Sequence, residues 1–254
     1  PMPATRPSRS RSTVGKTERW DMEAMPAFTD PSDGGACVQW PLPQPWPSLA
    51  APCRLAVMAS GSGSNFEALV EASRQGPLQA EVTLLVVNTP GCGAIARAER
   101  LGVPWQLHDH RSHPDRRSLD AALINTFQAA GVEVVALAGW MRIVTPLLIE
   151  AFPDRLVNIH PSLLPSFRGM DAVGQALAAG VTISGCTAHL VAEEVDSGRI
   201  LAQAAVPVLA SDSHATLAAR IHRQEHRILP LAVALAAERL AASGAAAGSA
   251  DPQG

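Results

Sequence analysis

The sequence has no uninterrupted apolar run of about 18 residues, the length a membrane-crossing helix needs. Its apolar segments are short and broken by Gly, Pro or charge, which excludes a helical membrane span and predicts a soluble protein with no membrane partner. Cysteine is sparse. Cys37, Cys53, Cys92 and Cys186 show neither C-x-x-C nor Cys/His ligand spacing, so neither a zinc site nor a disulfide framework is expected, and reduced thiols in a cytoplasmic protein fit best. The eight histidines include no H-E-x-x-H, and His108, His110 and His113 sit in a polar connecting segment that reads as solvated; no metal is predicted. A basic surface is also missing. Five of the 20 basic residues but one of the 23 acidic ones fall in residues 1–20, leaving an acidic body that suits nucleic acid poorly.

What is present is a chain that is 47% hydrophobic and 17% charged, enough for one large domain and too little for two. Residues 1–53 are rich in Pro, Ser, Arg and Gly without helical or strand periodicity and are expected to be a disordered N-terminal extension. The first twenty residues are basic in the manner of a transit peptide but lack a clear amphipathic helix, so a natural extension or a misassigned start fits equally. Order is expected over 54–240. An Ala-, Ser- and Gly-rich tail, 241–254, is expected to be flexible.

Within 54–240 strands and helices alternate. Apolar runs at 55–59, 81–87, 103–107, 132–138, 181–191 and 200–208 read as strands, and helical periodicity covers 94–101, 116–130, 172–179 and 213–240. This predicts an α/β, doubly wound, mostly parallel sheet in a single domain, with ligands at the carboxyl ends of the strands. After the first strand comes Ser60-Gly61-Ser62-Gly63-Ser64-Asn65 and then a helix. Glycines let the backbone approach a ligand, and the free N–H groups of a helix start favour an anion. The third glycine of a dinucleotide fingerprint is replaced by Phe66, and the next strand ends in Asn88 rather than an acid, so a single phosphate is expected rather than a nicotinamide dinucleotide.

The segment 157–169, V-N-I-H-P-S-L-L-P-S-F-R-G, organises the rest. In a strand Asn158 and His160 point the same way. An amide is a neutral donor for a developing oxyanion, and imidazole exchanges protons near neutrality, so the pair suits acyl transfer. A polar turn, 192–198, carries Asp196; folded over the crevice, it would orient His160 or hold a relaying water. The turn at 60–65, the segment 138–142 and the pair at 158 and 160 all lie at strand carboxyl ends and can share one crevice.

These motifs carry a resemblance. A-S-G-S-G-S-N (59–65), L-A-G-W-M-R-I-V (137–144), N-I-H-P-S-L-L-P-S-F-R-G (158–169), G-C-T-A-H-L-V (185–191), E-V-D-S-G-R-I-L-A-Q (194–203) and Q-E-H-R-I-L-P (224–230) occur in an order and spacing that resembles the phosphoribosylglycinamide formyltransferase family. The resemblance spans about residues 54 to 240. It implies a Rossmann-like formyltransferase fold and transfer of the formyl group of 10-formyltetrahydrofolate to glycinamide ribonucleotide in purine biosynthesis, by a monomer or homodimer.

The resemblance also implies roles. Asn158, His160 and Asp196 form the catalytic trio. Backbone groups of Gly63, Ser64 and Asn65 hold the substrate phosphate, and Glu225 reaches the ribose. The pterin lies beside Met141, Arg142, Ile143 and Val144 and the 192–196 loop, and Arg116 meets a ligand carboxylate or phosphate. Two positions depart from the pattern: Val173 stands where many relatives have His, and His222 where many have Gln or Lys. Formyltetrahydrofolate deformylases carry H-H-S-F-L-P and an N-terminal regulatory domain, and methionyl-tRNA formyltransferases add a C-terminal barrel and a basic tRNA surface. Neither pattern is that of this chain. A ligand-binding module without catalysis is disfavoured by the presence of all three catalytic residues.

Overall fold

The computed structural model describes residues 38–41 and 45–248. Eight strands form one sheet in the order β1-β8-β7-β6-β5-β2-β3-β4. In chain order they are β1 (Val38–Trp40), β2 (Cys53–Ala59), β3 (Ala80–Val87), β4 (Trp105–Leu107), β5 (Val134–Leu137), β6 (Leu156–His160), β7 (Ile183–Leu190) and β8 (Ile200–Pro207). The helices are α1 (Ser64–Gln75), α2 (Gly93–Leu101), α3 (Arg116–Ala129), α4 (Pro146–Ala151), α5 (Ala172–Ala179) and α6 (His214–Gly248). Among the described residues, four neighbouring strand pairs are parallel and three, β6 with β7, β7 with β8 and β8 with β1, are antiparallel. The expected doubly wound parallel sheet is therefore present from β6 to β4 and carries an antiparallel wing.

Both faces of the central strands are covered, which is why their sequences are continuously apolar. Along β2, Leu55, Val57 and Ala59 enter one core layer with α1 and α6, while Ala56 and Met58 enter the other with α3 and α4. A one-residue slip would exchange the two sets, so the alternation fixes the register. On the second face Phe127 of α3 is fully buried and meets Phe152 edge-on at a centroid distance of 5.8 Å.

The structure differs from the sequence reading at both ends. Residues 1–53 were expected to be disordered throughout, but Val38–Trp40 pairs with β8, Pro47 is buried, and Trp46 and Leu49 pack against the core. Three strand residues followed by Pro41 have no periodicity of their own, and only pairing with a distant strand makes them a strand. Residues 1–37 lie outside the described residues. At the other end α6 continues through Gly248, past the expected boundary at 240. Ala is the strongest helix former, and the tail's Ala content outweighs its Gly and Ser. Residues 249–254 lie outside the described part. The short α4 was also missed. It begins after Thr145 with Pro146 in its first turn, where the absent N–H is no loss.

Phe127→Ala is expected to cost about 3–5 kcal/mol, because it opens a cavity between α3 and α4 in addition to losing the ring's transfer energy. The shift in urea midpoint measures it; a loss below about 1 kcal/mol would contradict this packing.

Candidate active site

The polarity of the sheet changes at β6, and the candidate site lies there. β6 runs parallel to β5 and antiparallel to β7, with Asn158 opposite His189 and His160 opposite Thr187. The turn carrying Asp196 returns over the strand ends, its backbone left-handed at φ 52°. His160 is 6% exposed, and its Nδ1 lies 3.3 Å from Asp196 Oδ2. His160 Nε2 is 2.8 Å from the Phe167 carbonyl, which only accepts, so Nε2 carries a proton and Nδ1 is the atom that faces the carboxylate. The same Asp196 oxygen accepts the Gly169 N–H at 2.8 Å, and its other oxygen lies 3.6 Å from His189 Nε2.

His189 is the residue that the sequence reading placed on a strand without a role. Its Nδ1 donates to the Leu190 carbonyl at 2.8 Å, and its Nε2 is 3.1 Å from the Asn158 amide nitrogen. In the neutral ring Nε2 is then an acceptor. It takes one Asn158 N–H and leaves the other for a ligand, which fixes the amide as a donor toward the crevice. The signal was the i, i+2 spacing of Thr187 and His189, which puts both on one face; the partner strand and register were not legible. Burial alone would raise the Asp196 carboxyl, but the adjoining His189 ring, the Gly169 N–H and the charge of His160 outweigh it and hold it below the ordinary carboxylate value. Asp196 therefore stays ionised at neutral pH.

The Gly-rich turn converges on the same crevice. Gly63 caps α1 at φ 77°, and a Cβ there would lie 2.7 Å from Ala94 Cα, so only glycine fits. The first α1 ladder bond runs from Glu67 N–H to the Gly63 carbonyl, so the N–H groups of Ser64 and Asn65 precede the ladder. Asn65 Nδ2 donates to Glu225 Oε2 at 2.8 Å, with both residues buried. Burial raises the Glu225 carboxyl, and His222, Asn65 and His160 pull it back. Glu225 thus feels both the turn and the His160 imidazole. Ser60 N–H donates to the Gly139 carbonyl at 3.1 Å, and Ser60 Oγ accepts the Met141 N–H at 2.9 Å.

The expected apolar slot is half open. Met141 and Ile143 are 80% and 53% exposed, Arg142 is exposed, and Val144 is buried in the second core layer. Arg116 opens α3 as an exposed residue and is set apart from the trio; its charge reaches Asp120, one turn on. Asp120 was not singled out in the sequence. Its buried carboxylate accepts the Thr145 N–H at 2.5 Å and so ties α3 to the segment 140–145. His108 and His110, read as solvated, are partly buried: His108 Nε2 lies 3.1 Å from Thr126 Oγ1, and His110 Nδ1 donates to the Asn88 carbonyl at 3.2 Å. Val173 packs into the core from α5.

A pair of polar side chains at the end of a strand, backed by an ionised carboxylate and sharing a crevice with the open start of α1, suits transfer of a small acyl group. Residues 53–233 match the model of the formyl transferase family, and the chain belongs to that family. One relative matched over most of its own length is the phosphoribosylglycinamide formyltransferase of Bacillus subtilis (strain 168), 41% identical over 177 residues, covering 70% of this chain and 91% of that one. Among solved structures, glycinamide ribonucleotide transformylase 1 from Symbiobacterium toebii superposes with a TM-score of 0.73 at 44% identity, covering 75% of this chain and 90% of that one. The human trifunctional purine biosynthetic protein adenosine-3 is 41% identical over 184 residues, 72% of this chain but only 18% of that protein. The chain therefore spans about a fifth of the length of such trifunctional relatives.

Asp120 gives a pH test. Desolvation raises its carboxyl above the ordinary value of 3.8 against the Thr145 and Arg116 contacts. The native state then binds this proton more tightly than the unfolded chain. The contribution is fully present below the unfolded value and is lost as pH rises through the raised one. Asp120→Asn keeps the acceptor for Thr145 without a charge. It is expected to flatten the decline in stability above the unfolded value, read as urea midpoints from about pH 3 to 7; a decline as steep as in the parent would show that Asp120 does not titrate this way.

Proposed function

We propose that the protein transfers the formyl group of 10-formyltetrahydrofolate to the amine of glycinamide ribonucleotide, in purine biosynthesis and in the cytoplasm. The observation that carries this reading is the convergence of the Asn158, His160 and Asp196 constellation with the Gly63–Asn65 turn and Glu225 in one crevice. The turn's free N–H groups suit the phosphate dianion, and the buried Glu225 carboxylate suits the ribose hydroxyls. Exposed Met141 and Ile143 offer an apolar ledge for the flat pterin, with Arg142 beside them and Val144 anchoring the segment in the core, and Arg116 offers a cation for the far carboxylate of the folate.

In this reading the substrate amine attacks the formyl carbon, and the carbonyl oxygen takes on negative charge beside the free Asn158 N–H and a protonated His160. As the bond to the folate nitrogen breaks, the amine must lose one proton and the leaving nitrogen must gain one. The protonated His160 gives its proton to the leaving nitrogen and takes the amine's proton in return, and Asp196 stabilises the imidazolium at both ends of that exchange. Asp196 performs this role because it is ionised and cannot itself supply the proton at neutral pH.

His160→Ala and Asp196→Asn are each expected to lower kcat by at least about 100-fold, in line with the worth of a general acid–base group, without changing the thermal midpoint by more than a few degrees. Near-parental turnover by either variant would remove that residue from the mechanism. The reaction is tested by following the formyl group when the full chain meets 10-formyltetrahydrofolate with and without glycinamide ribonucleotide. Tetrahydrofolate and formylated ribonucleotide are expected only when both substrates are present. Formate released at the same rate without the ribonucleotide would mean that water is the acceptor and would overturn the proposal.

A further inference from the structure

A row of residues crosses the antiparallel wing. His160 lies opposite Thr187, Thr187 opposite Gln203, and Gln203 opposite Trp40. Directly opposed residues share a face, so Thr187 and Gln203 stand on the same side of the sheet as the catalytic imidazole. The other side of these strands faces α6 through Cys186, Ala188, Ala202 and Ala204. The catalytic side is covered by irregular chain, the segment 161–167. It passes so close that a Cβ on Gly185 would come within 2.9 Å of a Leu163 methyl.

Irregular chain packed on a sheet must find partners for its backbone polar groups, and Pro161 and Pro165 contribute no N–H of their own. Thr187 and Gln203 supply those partners. The fully buried Thr187 hydroxyl donates to the Ser162 carbonyl at 2.7 Å and accepts the Leu164 N–H at 3.0 Å. Gln203 Nε2 donates to the Leu164 carbonyl at 3.0 Å and to Thr187 Oγ1 at 2.9 Å. Every hydrogen-bonding site of the hydroxyl is used, and both N–H groups of the amide. Beyond this clamp Ser162 Oγ donates to the Ser166 carbonyl at 2.6 Å, and the chain turns at Phe167, φ 54°, to present the carbonyl that receives His160 Nε2.

We propose that Gln203 is a positioning residue for formyl transfer: acting with Thr187, it fixes the 161–167 segment whose Phe167 carbonyl sets the angle of the His160 ring. The inference rests on the catalytic assignment of His160 made above. Gln203 touches no reacting atom. Its effect is on the alignment of an imidazole that must move a proton in the transition state, and misplacing such a group by about 1 Å costs up to about 100-fold in rate. The substrate-binding turn and Glu225 lie on other elements, α1 and α6, so binding is not the step it serves.

The test is steady-state kinetics of the full chain with both substrates. Gln203→Met keeps the length of the side chain and removes its hydrogen bonds; it is expected to lower kcat about 10- to 100-fold while KM for each substrate stays within about twofold. Thr187→Val should behave alike, and the double variant should be no worse than either single one, because the two side chains act as a unit. Thr187→Ser, which retains the hydroxyl, should restore most of kcat. A merely structural role would not separate kcat from KM or respond to the hydroxyl alone. Should Gln203→Met fail to fold, the contrast between Thr187→Val and Thr187→Ser decides: equal kcat in the two overturns the proposal. So does kcat within about twofold of the parent in Gln203→Met, or a loss confined to KM. If the parent itself forms no formylated ribonucleotide, the catalytic reading fails; an active parent with an unaffected Gln203→Met sinks only the positioning role.

Discussion

The Asp196 carboxylate is the constraint on which the site depends. A charge held away from water is tolerated only when donors and opposite charges surround it. Here they come from His160 at the end of β6 and the Gly169 N–H of the loop after β6, while the His189 ring of β7 packs against the other carboxylate oxygen. Satisfying one carboxylate thus draws together the end of a strand, its antiparallel neighbour and the covering loop. The left-handed backbone at Asp196 is part of the same arrangement, since it aims the side chain inward from a turn that would otherwise face solvent.

The reversal of strand direction at β6 makes this possible. A parallel neighbour would leave the end of β6 facing other strand ends, as β5 and β2 do. An antiparallel neighbour places the side chains of β7 directly opposite, so that Asn158 meets His189 and His160 meets Thr187. The parallel half of the sheet supplies the Gly-rich turn after β2, at a strand carboxyl end as in other open α/β sheets, and the antiparallel half supplies the polar rung beside His160. The two sides of the crevice are therefore built on opposite principles of strand pairing.

Much of this was legible in the sequence because it is encoded locally. Asn158 and His160 declare a shared face by their period of two, the Gly61–Gly63 turn declares a strand-to-helix junction, and the apolar runs of β2, β3 and β5 declare strands covered on both sides. The supporting residues were hidden because they act through register. Nothing in the sequence around Gln203 says that it stands opposite Thr187, and nothing around Asp120 says that Thr145 turns toward it. The ends were misread for a related reason. β1 exists only by virtue of β8, and the last turns of α6 follow helix propensity in a stretch whose composition resembles a linker.

The outermost strand has a consequence for the order in which the structure assembles. Val38 pairs with Ala205, so every other strand but the end of β8, and all the helices except α6, lie between the two partners of that contact. β6, β7 and β8 are by contrast consecutive in the chain and can zip together over short separations. Closing a long loop before any reward is entropically unfavourable, and contacts of large sequence separation form late. The β6–β8 wing can therefore pair without waiting for the 38–41 segment. The formyl transferase match begins only at residue 53, so the strand that closes the β8 edge is a seam added to the sheet from outside the family's own span.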